Sequence, residues 1–209
     1  MPTTKLYVVR HGQTTHNRDG LISGYFVDPV LTEQGITQAN ETKQKLSHVH
    51  FDEAYSSDLQ RAAHTAAIIY GQDIHPTKQM AGLRERTFGA IEGKPNTLLD
   101  EFRLQPHFQS LSAEERWRHK FKDDMESDHE VSTRFIGALR KIANDNKGKT
   151  VLIAAHGGTL RTLLISIGYA SSAELPFGTI DNAAFVELDY DDDSFTTGEV
   201  GGIRKAIVD

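Results

Sequence analysis

Four stretches of the chain set reactive side chains just beyond runs that look like strands or helix starts. Arg10-His11-Gly12 follows the apolar run 5–9, and Arg61 stands in the first helical turn after 53–56. Glu85 follows a weaker strand pattern at 74–80, and His156-Gly157-Gly158 directly follows 150–155. In open α/β sheets, ligands sit outside the carboxyl ends of the strands. Those ends therefore bring two arginines, two histidines and one carboxylic acid to one rim, a composition that suits a phosphoryl group. Guanidinium groups give bidentate hydrogen bonds to phosphate oxygens. Arg61 adds a physical hint, because a cation in the first turn of a helix opposes the macrodipole. An anion held between Arg61 and the helix start is expected to offset that cost. His156-Gly157-Gly158 opens another helix, where free N–H groups and small side chains admit an oxyanion closely.

The elements that must hold these groups follow from periodicity and caps. The run 5–9 is too short for a helix and reads as strand then loop. Residues 32–49 read as a helix with Thr32 as N-cap and apolar Ile36, Ala39 and Leu46 recurring, although Gly35 weakens it. A short strand at 53–56 precedes a helix expected to start on Asp58 as N-cap, with a small apolar face at Leu59, Ala62, Ala63, Ala66 and Ile69, closing at Gly71. A strand at 74–80 is interrupted by Pro76. Residues 95–105, 112–124 and 127–146 read as helices, the last two opening on Ser-x-x-Glu boxes at Ser112/Glu115 and Ser127/Glu130. The run 150–155 suits the middle of a covered sheet, with a helix at 158–169 after it. Residues 183–207 read as strands joined by Asp-rich and Gly-rich turns. The alternation predicts one α/β domain over 1–209: a three-layer α/β/α sandwich with a mixed, mostly parallel sheet, an antiparallel element near the C-terminus, and a helical cap at about 88–135.

Composition narrows the chemistry. The 209 residues, 38% apolar and 25% charged, are enough for one sizeable core. There are no cysteines, which excludes a disulfide framework, a thiolate metal cluster and a cysteine-thiolate phosphatase mechanism. A formal charge of -6 argues against a nucleic-acid partner. Without a signal-like apolar region or a run of transmembrane length, a cytoplasmic protein with no membrane contact is expected. The ten histidines include pairs such as His11/His16 and His48/His50. None has a His-x-x-x-His or His-Glu-x-x-His spacing, so no metal site is expected.

Arg10-His11-Gly12-Gln13-Thr14 with Asn17, Ser56-Ser57-Asp58-Leu59-x-Arg61-Ala62 with Thr65-Ala66, Leu83-Arg84-Glu85, and His156-Gly157-Gly158 together resemble the histidine phosphatase superfamily, in its phosphoglycerate mutase-like branch. The match runs in order from Arg10 to about Thr162. The resemblance implies a cofactor-free, ping-pong phosphoryl transfer in which a neutral His11 attacks phosphorus and becomes a phosphohistidine. It further implies that Arg10, Arg61 and His156 surround the phosphoryl oxygens, with Asn17 and Gly157 as further contacts. Glu85 is implied as the proton donor to the leaving oxygen, which calls for a partly buried site or nearby anions. Ser23 and Gly24 carry over as a loop closing over the phosphate.

A mutase and a phosphatase of this family share that chemistry and differ in the acceptor. Mutases typically carry an adjacent arginine pair in the cap, whereas this cap offers Arg116 and Arg118 split by Trp117, which point to different helix faces. Arg86-Thr87-Phe88-Gly89-Ala90-Ile91-Glu92-Gly93 is nearer to the phosphatase-type Phe-Gly-x-x-Glu-Gly pattern. A phosphatase acting on a small phosphorylated metabolite, as a monomer or homodimer, is therefore the favoured reading. The alternatives are a phosphoglycerate mutase or a non-catalytic phospho-ligand binder. Phe102, Phe108, Trp117 and Phe121 could shape a leaving-group pocket or simply form cap core. Asp189-x-Asp191 resembles an aspartate-nucleophile motif, but Asp193 stands where Thr or Val is required, so a polar hairpin turn is expected.

Overall fold

β1 (Thr4–Arg10) alternates Leu6 and Val8 against Tyr7 and Val9, and all four are buried, so this strand is covered on both faces. The chain is described here by a computed structural model covering residues 2–71 and 78–208. A short helix α1 (Thr15–Asp19), not expected from periodicity, is capped by Thr14. Then come α2 (Glu33–Lys45), capped by Thr32 as predicted, β2 (Glu53–Ser56), α3 (Gln60–Tyr70) and β3 (Lys78–Gln79). Most of the strand expected at 74–80 lies outside the described residues. The excursion holds α4 (Thr97–Arg103), α5 (Pro106–Ser110) and α6 (Ala113–Arg118). α7 (Asp128–Asp145), β4 (Thr150–Ala155), α8 (Gly157–Ser166), β5 (Ile180–Asp191) and β6 (Ser194–Ile203) complete the chain.

The sheet runs β3-β2-β4-β1-β5-β6, parallel from β3 to β1, with β5 and β6 added antiparallel. One face packs Leu6, Val8, Val151 and Ile153 under α7 and α8. The other packs Tyr7, Val9 and Leu152 with Ile69 of α3 and Leu46 at the end of α2. The small face of α3 earns its close approach to β4 through Ala62, Ala66 and Ala154. Helices thus cover both faces of a mixed sheet, as predicted. Among the described residues, no helix is long and apolar enough to cross a membrane.

Three local readings change. Asp58 does not cap α3: both its carboxylate oxygens accept from Arg84, at 2.7 and 2.8 Å. The cap comes instead from Asp28, whose carboxylate accepts from the Gln60 and Arg61 N–H groups. The helix expected at 112–124 stops at Arg118, and the chain beyond it runs back to the segment after Glu85, where Asp124 accepts from Ala90 N–H and Glu126 from Thr87 N–H. The stretch 127–135, grouped with the cap by sequence, begins α7, and Phe135 is wholly buried in the main core. Ile91, Leu99 and Met125 of the excursion form a separate small core with Ile22 from the loop after α1.

The C-terminal strands form the expected hairpin, with Asp192 and Asp193 at positive φ in its turn. Asp189 pairs with Lys5 and Asp193 with Arg140. Since Lys5↔Asp189 lies at the amino end of β1, these aspartates sit at the opposite end of the sheet from His11.

Candidate active site

β1 and β4 lie side by side with Arg10 opposite Ala155, so His11 and His156 leave neighbouring strand ends together. Their rings are 5.2 Å apart. The turn after β1 is held by close backbone approach: a Cβ on Gly12 would overlap the Gly35 carbonyl, and one on Gly35 would overlap that of Gln13. α2 therefore starts pressed against the Arg-His-Gly turn, and Gly12 N–H donates to Thr65 of α3 at 3.1 Å.

A cavity of about 370 Å³ opens at this rim, and Arg10, His11, Asn17, Ser23, Glu85 and Gly157 are among its lining residues. Arg61, His156 and Gly24 do not line it; they form the layer behind. Arg61 is fully buried, giving its Nη groups to the carbonyls of Val27 and Gly24 and to Asp28 at 3.1 Å. Asp28 thus supplies the anion that a cation at the start of a helix calls for, so that placement does not by itself require a bound phosphate. The Gly24 carbonyl anchors Arg61 at 2.9 Å. Asn17 caps its own helix through Thr14 and accepts from Asn182 at 3.2 Å.

His11 Nδ1 lies 2.8 Å from the Gly12 carbonyl oxygen. A carbonyl can only accept, so Nδ1 carries the proton and Nε2 keeps its lone pair. Burial, reinforced by the charges of Arg61 and Arg10, holds this imidazole well below its ordinary pKa. His156 is shifted the same way by burial, then by Arg61, His11 and Arg10. Both His156 nitrogens, the Nε of Arg10 and of Arg61, and Ser23 Oγ are buried without a protein partner. Such orphaned donors and acceptors are costly unless a ligand uses them.

Glu85, 8% exposed, reaches the rim from the loop after a 3-10 turn rather than directly from a strand end. Its Oε1 accepts from Arg86 N–H and its Oε2 from Gly158 N–H, both at 2.8 Å. Any Cβ at Gly158 would overlap the Glu85 carboxylate. Glycine there is therefore what lets the start of α8 hold this carboxyl in place.

Sequence reasoning missed several participants. Glu92 accepts the N–H groups of Tyr25, Phe26, Val27 and Phe88, fixing the loop that carries Ser23 and Asp28. The Phe-Gly-x-x-Glu-Gly run contained that signal. Arg86, Arg103, Arg161 and Phe177 also line the cavity and a second one of about 870 Å³ beside it. Of the cap aromatics, Phe108, Trp117 and Phe121 line the larger cavity, while Phe102 stacks on Phe121 at 5.4 Å. Among the described residues, no group of three His, Cys, Asp or Glu is placed to hold a metal ion.

The two depressed imidazoles have a consequence for stability. Below about pH 6.5 the unfolded chain protonates these histidines while the folded chain keeps them neutral. The unfolded state then binds more protons, so stability falls as pH drops from 7 towards 5. Urea midpoints should show that fall, and it should shrink in His156→Gln, which has no imidazole to protonate. An undiminished fall in the variant would assign the protons to other groups.

Comparison with known proteins agrees with the geometry. Metal-independent phosphoserine phosphatase of Arabidopsis thaliana is 33% identical over 172 residues, covering 81% of this chain and 71% of that protein. Fructose-2,6-bisphosphatase TIGAR B of Danio rerio is 42% identical over 99 residues, covering 46% of this chain but only 38% of that protein. The crystal structure of phosphoglycerate mutase from Bacillus anthracis str. Sterne superposes with a TM-score of 0.78 at 28% identity, covering 97% of this chain and 94% of that one. The family model for the histidine phosphatase superfamily (branch 1) matches residues 6–201. With that match spanning nearly every element that builds the rim, the chain belongs to the histidine phosphatase superfamily and has its phosphoglycerate mutase-like fold.

Proposed function

We propose that this protein is a phosphatase that hydrolyses a small phosphomonoester through a phosphohistidine on His11, with Glu85 as proton donor. The observation that carries this reading is the His11 ring: Nδ1–H is committed to Gly12, and Nε2 is left as a neutral nucleophile among arginines. In the first step the Nε2 lone pair bonds to phosphorus while the ester P–O bond breaks, and the leaving oxygen takes a proton from Glu85. In the second, water attacks phosphorus and gives its proton to Glu85, and the P–N bond returns its electrons to the imidazole. Arg10, Arg61 and His156 stabilise charge on the phosphoryl oxygens, with Asn17, Gly157 and Ser23 as further contacts.

Water as the acceptor is supported by how the cap arginines are used. Arg116 spends its guanidinium on the carbonyls of Phe108 and Gln109, and Arg118 pairs with Glu114 at 2.7 Å. Neither is paired with the other to grip a second substrate oxygen.

Rapid quenching with p-nitrophenyl phosphate in EDTA tests the mechanism. A burst of nitrophenol matching the enzyme, with an acid-labile, alkali-stable phosphoryl group mapped to His11, is the expected result. Absence of that adduct during turnover would remove the covalent route. Isomerisation of a phosphoglycerate faster than phosphate release would replace the phosphatase reading with the mutase one.

A further inference from the structure

β5 does not run evenly along its neighbours. It advances from Ile180 to Phe185 while β6 advances only from Ile203 to Gly201, and its pairing with β1 ends at Val9↔Phe185. Residues 181–184 therefore bulge out of the ladder beside the turn that carries His11. Ala183, buried within the bulge, takes φ 57°, a conformation uncommon for a residue with a Cβ. Glycines on β6 make the room: a Cβ on Gly201 would overlap the Phe185 ring, and one on Gly202 would press on Ala184. Backbone strain of this kind persists only where surrounding contacts hold it, and it clusters at functional sites.

The contacts that hold the bulge run to the Arg10-His11-Gly12 turn and the helices beside it. Arg10 Nη1 donates to the Ile180 carbonyl at 2.5 Å, and Ala183 N–H donates to the His11 carbonyl at 3.2 Å. Thr42 of α2 donates to the Ala183 carbonyl at 2.8 Å. Asn182 Nδ2 lies 3.2 Å from the His11 carbonyl oxygen and 3.2 Å from Asn17 Oδ1. A carbonyl only accepts, so this is the amino end of Asn182, with one N–H for each partner. Asn17 Oδ1 also accepts from Thr14 N–H at 3.1 Å. A backbone N–H only donates, so the oxygen of Asn17 faces Thr14 and Asn182. Its own NH₂ is the group left for the cavity, which Asn17 lines and Asn182 does not.

We propose that Asn182 is a positioning residue: it ties the His11 backbone to the Asn17 side chain and so turns the Asn17 NH₂ into the phosphoryl site. This deepens, and rests on, the reading of that rim as the place where a phosphoryl group is bound and transferred. Asn182 acts through Asn17 and does not itself touch substrate. The strained bulge at Ala183 is what brings its amide within reach of both partners.

Calorimetric affinity for orthovanadate, which needs no turnover, is compared for the unaltered chain, Asn182→Ala, Asn17→Ala and the double variant. Asn182→Ala is expected to weaken binding about tenfold or more, as for the loss of one hydrogen bond to a charged oxygen. In the Asn17→Ala background the same change should cost about threefold or less, because the group that Asn182 aims is gone. A residue that only supports the fold would cost the same in both backgrounds. Urea midpoints check that each chain is folded during titration. Side-chain amide NMR of the unaltered chain gives a second reading that needs no variant: the Asn17 NH₂ signals should shift on adding orthovanadate. Equal losses in both backgrounds, an Asn182→Ala affinity within about twofold of the unaltered chain, no orthovanadate binding to the unaltered chain, or unshifted Asn17 signals overturns the assignment. Turnover of p-nitrophenyl phosphate by the unaltered chain is read separately. Turnover with uncoupled affinities removes only the role of Asn182, and coupled affinities without turnover remove only the phosphatase.

Discussion

Replacing His11 with alanine is expected to lower kcat/KM for p-nitrophenyl phosphate on the order of ten-thousandfold or more. The chain has no cysteine to stand in, and the imidazole of His156, whose ring meets that of His11, is poorly placed to do so. His156 sits 5.2 Å from His11, ring to ring. A displacement of about 1 Å already costs on the order of a hundredfold in a positioned reaction. His156 also lacks the hydrogen bond that sets the His11 tautomer, since neither of its nitrogens has a protein partner. The variant should fold, because the turn is fixed by Gly12, Gly35 and Thr65 rather than by the imidazole. Its stability should also fall less than that of the unaltered chain between pH 7 and 5, since one buried neutral histidine is gone. A loss below about tenfold would place the nucleophile elsewhere.

What could be read in advance was whatever depended on local pattern. The ends of β1 and β4 were legible because short apolar runs stop at Arg10-His11-Gly12 and His156-Gly157-Gly158, and the rim follows from parallel strands pointing one way. Ser112 and Ser127 were legible as caps because a capping box closes within four residues. Asp58 failed for the complementary reason. Nothing within one turn shows that Arg84, 26 positions on, takes its carboxylate, or that Asp28 arrives from a distant loop to cap α3 in its place. The Arg61 dipole argument correctly called for an anion, but the protein supplies its own. The Arg103–Phe177 contact was hidden in the same way, since it exists only where α4 meets the loop before β5. Cap helices of five to seven residues are too short for periodicity to define, and packing decides where they stop.

Glu85→Gln is expected to separate the two halves of the chemistry by leaving group. For an alkyl phosphate the departing oxygen needs a proton, and losing the acid should lower kcat/KM by roughly a hundredfold to ten-thousandfold. Nitrophenolate leaves without protonation, so kcat/KM for p-nitrophenyl phosphate should fall far less. The comparison uses kcat/KM because in a ping-pong scheme it reports only the steps up to the phosphoenzyme. On the proposed route Glu85 is also the base for hydrolysis of that intermediate, so its loss should appear as a nitrophenol burst followed by a slow steady state. Glutamine is not a silent replacement. Glu85 accepts one N–H on each oxygen, from Arg86 and Gly158. An amide must turn its NH₂ towards one of them, leaving a buried donor unpaired at a cost of about 1–3 kcal/mol. A general loss of stability or a shifted carboxamide would lower both substrates alike, whereas loss of the proton donor lowers one. Equal losses for the alkyl and nitrophenyl esters would therefore leave Glu85 as a scaffold for the start of α8 and move the proton donor to another group.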